Sequence, residues 1–370
     1  MKAKKKDKKE MRSGFTTGAC ATATTKAALV ALITSEEQVD ATIYLPVGKF
    51  ATFEMDSCIV EPHFAEAATI KDAGDDPDAT HGALIKAMVS WSKEPGITLD
   101  GGVGVGRVTK EGLPVPVGEA AINPVPRKMI CETAEEVLGT YGIQRGINII
   151  ISVPRGEEMA EKTLNKRLGI IGGISILGTR GTVIPFSSSA YMASIVQAIS
   201  VARASNCEHV VISTGGRSEK YGIQQYPELP EEAFIEMGDF VGFTLKQCKK
   251  QGVKIVSLVG MMGKFSKVAQ GVMMVHSKSA PVDFNFLADV ARDAGVTDQE
   301  LLEKVVGANT ASQVGDLMLE HGYKEFFTIL CDYCCTSGLK EVAGGISIET
   351  SLYSMKGTFL GKAGKDGRED

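Results

Sequence analysis

The chain has 370 residues, long enough for two domains, and its 44% hydrophobic and 23% charged residues exclude wholesale disorder. The net charge is −5, nothing beyond a lysine-rich start that could read as a nucleic-acid arm argues for nucleic-acid binding, and no stretch has the roughly 20 apolar residues of a membrane helix. Eight cysteines in a chain this long are not a disulfide framework, so the reducing cytoplasm is the expected compartment.

Residues 1–10 hold six lysines against Asp7 and Glu10, with no aromatic residue and no period, the pattern of a disordered leader. An alanine-rich run at 19–33 predicts a helix, and 39–45 and 50–60 predict strands. Residues 72–82 have loop chemistry and lead into an expected helix through Ser90. Short strands alternate with Gly and Pro between 97 and 125. Pro126 suits the first turn of a helix reaching about Tyr141, and 147–153 reads as a buried strand.

From about residue 182 the pattern changes. Strands are expected at 182–186, 209–213, 253–259 and 325–331, with helices at 190–205 and 230–251 and further helices through Gly322. A last strand is expected at 346–352. Such alternation predicts helices on a parallel sheet. The expected fold is therefore mixed: a lysine-rich leader at 1–10, an α+β domain over 11–181 with its own mixed or antiparallel sheet, and a Rossmann-like α/β domain over 182–352 with a mostly parallel sheet. The tail, 353–370, is charged and glycine-rich and is expected to fray.

Two glycine-rich turns follow predicted strands, Thr214-Gly215-Gly216-Arg217-Ser218-Glu219 and Gly260-Met261-Met262-Gly263-Lys264. Ligands of open α/β sheets bind outside the carboxyl ends of the strands. Gly215, Gly216, Gly260 and Gly263 would let the backbone approach a ligand, and Glu219 can accept hydrogen bonds from a ribose. Neither turn fits the dinucleotide fingerprint or the Walker loop. The spacing leaves a nucleotide-like cofactor and plain helix–strand packing both open.

The acidic loop Asp75-Asp76-Pro77-Asp78 can supply a general base, or Asp78 or Thr80 can cap the next helix; spacing favours the cap. His81 beside it reads as structural. Cys331, Cys334 and Cys335 lack the second pair of a metal site and read as buried thiols, so no protein-bound metal is expected. The apolar, glycine-rich segment 169–179 has no helical period. A bulged strand pair and a backbone-lined wall against a large flat ligand both fit it.

Seven blocks in order give this sequence a specific resemblance. They are Arg12-Ser13-Gly14-Phe15-Thr16-Thr17-Gly18-Ala19-Cys20, the loop 75–82, Gly118 to Arg127, Thr163 to Ile170, Gly173 to Thr179, and the two glycine-rich turns. The chain resembles the CbiD family, the cobalt-precorrin-5B C1-methyltransferases of anaerobic cobalamin biosynthesis. The resemblance implies methyl transfer from S-adenosylmethionine to ring carbon C-1 of a cobalt-containing tetrapyrrole, with the cobalt carried by the substrate. An electron-rich ring carbon is the nucleophile, so the protein mainly aligns two large reactants. Asp75 and Asp76 are then the candidate proton acceptors, and Gly215, Gly216, Glu219, Gly260 and Gly263 the cofactor contacts. Thr16, Thr17, Arg127, Arg167, Thr179 and Lys264 are assigned to the tetrapyrrole. Of Arg127, Arg155, Arg167 and Arg180, one or two should meet its carboxylates. A homo-oligomer is compatible with this reading. An NAD(P)-dependent oxidoreductase or a tetrapyrrole carrier of the same pathway are the competing readings.

Overall fold

The chain folds as two units, Met1–Ser188 and Ser189–Asp370, and the computed structural model describes residues 11–276 and 278–368. The expected leader at 1–10 lies outside the described residues.

The first unit runs β1 (Gly14–Phe15), α1 (Thr17–Thr34), β2 (Asp40–Leu45), β3 (Lys49–Glu54), β4 (Ser57–Val60), β5 (Phe64–Ile70), β6 (Leu84–Trp91), β7 (Ile97–Gly101), β8 (Gly104–Val105) and β9 (Arg107–Val108). It continues through α2 (Pro124–Thr140), β10 (Ile147–Ser152), α3 (Gly156–Ala160), β11 (Ile170–Ile171), β12 (Gly173–Ile174) and β13 (Thr182–Val183). Its main sheet has the order β4-β5-β6-β10-β7, antiparallel except for the β10–β7 pair.

Helix α1 packs on β5 and β6 and against α2. The Thr16 hydroxyl caps it by accepting from the Ala19 amide at 3.2 Å. Its alanines and Leu29 are buried nearly all round, which is why it shows no apolar stripe. Thr22, Thr24 and Thr25 are fully buried as well, and each donates to the carbonyl four residues back at 2.8–3.0 Å. Contrary to the sequence expectation, α1 is by length and composition long and apolar enough to cross a membrane, yet 78% of it is buried inside the protein.

The helix expected to reach Ser90 is instead strand β6. Ile85, Ala87 and Val89 are buried while their neighbours are part-exposed, a period of two that overrides the helix propensity of Ala, Met and Lys. The segment 169–179 does not pair with itself: β11 pairs antiparallel with β9, and β12 pairs parallel with β8. A Cβ on Gly173 would lie 2.1 Å from the Gly104 carbonyl oxygen, and one on Gly156 would lie 2.0 Å from the same atom. These glycines thus let three backbone segments cross.

The second unit holds α4 (Ser188–Ala204), β14 (His209–Ser213), α5 (Gly216–Gln225), β15 (Phe234–Glu236), α6 (Val241–Lys250), β16 (Ile255–Met261) and α7 (Met262–Ala269). Then come α8 (Phe284–Asp293), α9 (Gln299–Val306), α10 (Ala311–Glu320), α11 (Glu325–Val342), β17 (Ser347–Tyr353) and β18 (Phe359–Asp366). The sheet order is β15-β14-β16-β17-β18; the first four strands are parallel and β18 is antiparallel to β17. One face buries Ile212, Leu258, Phe265, Phe327 and Ile348 in the main core. The other carries a smaller cluster of Val211, Tyr226, Phe234, Val259 and Tyr353 with Tyr221 of α5 packed on it.

Three segments depart from the expected pattern. Residues 230–251 are not one helix: Gly238, at φ +56°, breaks the run, leaving β15 before it and α6 after it. Residues 325–331 begin helix α11, because Phe327, Cys331 and Cys335 continue as a buried stripe at helical spacing beyond the apolar run. The expected fraying does not hold over 359–366, since β18 pairs with the whole of β17 from Ser347↔Asp366 to Tyr353↔Phe359.

Cys331, Cys334 and Cys335 are fully buried on α11. Burial pushes all three thiols up, Cys335 to about 11 and Cys334 well above its usual range. Seven of the eight cysteines are buried and Cys131 is half-buried. A thiol reagent should therefore label Cys131 rapidly in the native protein and the other seven only on unfolding. Rapid native labelling on α11, read by peptide mass mapping, would contradict this placement.

Candidate functional site

In the first unit, three of the sequence blocks meet at the start of α1. β1 pairs with β13, and Phe15 donates its amide to the Asp72 carbonyl at 2.8 Å. A Cβ on Gly14 would sit 2.1 Å from the Ala73 carbonyl carbon, so only glycine fits this crossing. Thr17 Oγ1 accepts from the Leu177 amide at 2.9 Å and lies 3.2 Å from the Ser175 carbonyl oxygen. Both Thr16 and Thr17 are buried, and their hydroxyls are engaged with the backbone. They shape the 175–181 segment.

The acidic loop is built around a buried lysine. Lys71 is 1% exposed and its Nζ lies 2.6 Å from Asp78 Oδ2. Asp78 Oδ1 also accepts from the Thr80 amide and hydroxyl at 2.7 and 2.6 Å. Burial alone would raise the Asp78 carboxyl, but the Lys71 charge and these hydrogen bonds together hold it below the ordinary value. The expected helix cap is thus a side-chain-closed turn before β6. Arg12 grips Asp72 through both guanidinium nitrogens, and Asp72 is held down to about 2. Asp75 accepts from the Arg12 amide and Asp76 from the Phe186 amide, each at 2.8 Å. His81 Nδ1 accepts from the Ala73 amide at 3.1 Å, a structural role.

The remaining first-unit residues are dispersed. Arg127 pairs with Glu119 at 3.0 Å, and Arg155 pairs with Glu158 at 2.7 Å. Arg167 is part-buried, and its carbonyl faces Lys110 Nζ at 3.4 Å. Thr179 and Arg180 are exposed. The same stretch exposes Leu177, Ile184 and Phe186, each by about half.

In the second unit, both glycine-rich turns stand at the carboxyl edge of the sheet, after β14 and at the end of β16. Gly215 precedes α5, and a Cβ there or on Gly263 would meet nothing within 4 Å. Gly260 differs: it is buried in β16, with the Phe265 ring 2.4 Å from where a Cβ would lie. Its glycine serves packing. Lys264 ties the edge together, 3.0 Å from Asp239 Oδ1 and 3.4 Å from the Thr214 carbonyl oxygen. Glu219 lies in the first turn of α5.

The same edge holds groups that the sequence reading passed over. Glu236 ends β15, Asp239 follows it, and Tyr191 of α4 lies beside Gly238. Tyr191 is pushed up to about 12, by burial first and then by the charges of Glu236, Asp239 and Glu219. Glu236 and Asp239 were hidden inside the helix expected at 230–251. Among the described residues, no group of three or more His, Cys, Asp or Glu side chains is placed to hold a metal ion.

The family model CbiD matches residues 4–185, and the model CbiD, C-terminal domain, matches residues 274–364. The chain belongs to the CbiD family. The two CbiD models leave 186–273 between them, the stretch that carries both glycine-rich turns. A full-length relative spans it: the cobalt-precorrin-5B C(1)-methyltransferase of Priestia megaterium is 70% identical over 367 residues, 99% of this CbiD chain and 100% of its own. The protein of the same name from Rubrobacter xylanophilus is 48% identical over 340 residues, 91% of this chain and 87% of its own. A solved structure described as cobalamin biosynthesis protein (cbiD) from Archaeoglobus fulgidus covers 84% of this chain and 85% of its own at 25% identity, with a TM-score of 0.38.

Proposed function

We propose that this CbiD chain methylates C-1 of cobalt-precorrin-5B, giving cobalt-precorrin-6A, with S-adenosylmethionine as the methyl donor. The observation that carries the reading is the 70% identity, over nearly the whole of both chains, to a relative that bears this activity as its name. The donor supplies an activated methyl group, and the chain's task is to align it with a ring carbon.

The second unit is read as Rossmann-like, with the donor at the carboxyl ends of β14 and β16. Three features support this: the open backbone at Gly215 and Gly263, with Gly216 between Gly215 and the Glu236 carboxylate; Glu219 in the first turn of α5, able to accept from ribose hydroxyls; and a buried hydroxyl, Ser213 Oγ, with no hydrogen-bond partner at the same edge. Gly260 and Lys264 support this edge through packing and an ion pair. The first unit is read as the tetrapyrrole's. Exposed Leu177, Ile184 and Phe186 offer apolar surface to a flat ring, and the cations beside them offer partners for its carboxylates. Among the four arginines singled out, Arg180 is the exposed one without an ion-pair partner among the described residues, and it is the one we place on a substrate carboxylate, ahead of Arg127 and Arg167. Asp76, with Oδ1 fixed by the Phe186 amide, is the proposed acceptor for the proton lost from the ring, and Asp75 orders Arg12.

Glu219→Ala should weaken binding of S-adenosylhomocysteine tenfold or more, since a charge-assisted hydrogen bond contributes roughly 1.5–3 kcal/mol. Titration calorimetry on the folded variant is the check. Unchanged affinity would remove Glu219 from the site.

A further inference from the structure

The carboxyl edge of the second sheet carries a charge arrangement that goes beyond ribose recognition. Ser213, the last residue of β14, is in register with Glu236, the last residue of β15. Strand alternation puts both on the face covered by α5, with Val211 and Phe234. Ser213 is 1% exposed, and its Oγ makes no hydrogen bond. A buried hydroxyl left in that state is unfavourable unless a polar group belongs beside it. Glu236 Oε1 lies 3.3 Å from where a Cβ on Gly216 would stand, so the carboxylate reaches the first residue of α5. Asp239 Oδ1 is buried, and Lys264 approaches it at 3.0 Å without an aligned hydrogen bond. Tyr191 Oη is 3.0 Å from a Cβ position on Gly238, and its ring lies 5.6 Å from that of Phe240. Two carboxylates, two aromatic rings, an unsatisfied hydroxyl and the start of a ten-residue helix thus share one edge.

We propose that Glu236 and Asp239, with the Tyr191 ring, form the subsite for the sulfonium of the methyl donor, while the unpartnered Ser213 hydroxyl takes a polar group of the donor. The assignment rests on the placement of the donor at this edge. A sulfonium has no N–H to donate, so it is recognised by nearby negative charge and by aromatic faces rather than by hydrogen bonds. The field of Glu236, Asp239 and Glu219 already converges on the Tyr191 hydroxyl. In the transfer, the ring carbon supplies the electron pair of the new C–C bond, the pair of the broken C–S bond stays on sulfur, and the positive charge at sulfur is lost. The subsite therefore distinguishes donor from product by charge, and it favours release of the neutral thioether.

The test is calorimetric titration of the full chain with S-adenosylmethionine and with S-adenosylhomocysteine, which differ in that charge. Wild type should bind the donor more tightly. Glu236→Gln and Asp239→Asn should each weaken the donor about tenfold and the product less than about twofold, and Glu236→Asp should retain the preference. Thermal melts establish that each variant is folded. If Glu219→Ala weakens both ligands while the two charge-removing variants weaken both alike or neither, the sulfonium assignment fails and the edge stands. If all three leave both ligands unchanged, the placement of the donor at this edge fails with it.

Discussion

Asp78→Ala should cost the first unit about 3–5 kcal/mol of stability, the range for stripping one partner from a buried ion pair. The variant leaves the Lys71 ammonium, 1% exposed, without the carboxylate 2.6 Å away. It also removes the two hydrogen bonds that close the loop onto Thr80. Lys71→Met should cost less, because the Asp78 side chain is 24% exposed and can take up water or a proton. The pH dependence follows from the lowered Asp78 carboxyl. Its contribution is fully present above the unfolded value of about 3.9 and is lost as pH falls through the lower folded value. Urea midpoints measured from neutral pH downward should show an acid limb that is weaker in Asp78→Ala. A variant as stable as wild type at neutral pH would mean that the pair is not buried as described.

Gly104→Ala should be still more damaging, above about 4 kcal/mol, and should yield little soluble protein. Gly104 is at φ +72°, where a side chain is strained, and its Cβ would lie 1.8 Å from the Val153 carbonyl oxygen. The obstacle is the Val153 backbone, whose amide donates to the Val103 carbonyl and whose carbonyl accepts from the Gly156 amide, each at 2.7 Å, so it cannot move aside cheaply. Gly139 in α2 is the control. A Cβ there meets nothing within 4 Å, and Gly139→Ala should stabilise by roughly 0.5–1 kcal/mol. Comparable melting temperatures for Gly104→Ala and wild type would refute the crossing.

The sequence made some of this legible, for physical reasons. Strands 209–213 and 253–259 are short apolar runs that end in glycine-rich turns, and β14 and β16 lie there. Helix α11 was not legible because Phe326–Leu330 reads equally as strand; only the stripe continuing through Cys334 and Gly338 shows the helical period. β18 was missed because its pairing with β17 is set by backbone hydrogen bonds across the sheet, which a charged, glycine-rich composition does not announce. At the candidate site, the turns at 214–219 and 260–264 were visible as glycine clusters. Gly260 shows the limit of that signal, since a glycine needed for the Phe265 ring looks the same in sequence as one that lines a ligand. Lys71 and Asp239 gave no signal at all, since their roles come from what the fold brings near them.

Methyl transfer to a cobalt tetrapyrrole is the reaction on which the rest depends. Its most direct test is incubation of the purified chain with cobalt-precorrin-5B and S-adenosylmethionine carrying an isotopically labelled methyl group, followed by mass spectrometry and carbon NMR of the tetrapyrrole. The expected product is one methyl group heavier and labelled at C-1, with S-adenosylhomocysteine formed in equal amount. A tetrapyrrole that binds but gains no label, or one that is altered only when a nicotinamide cofactor is supplied, would contradict it.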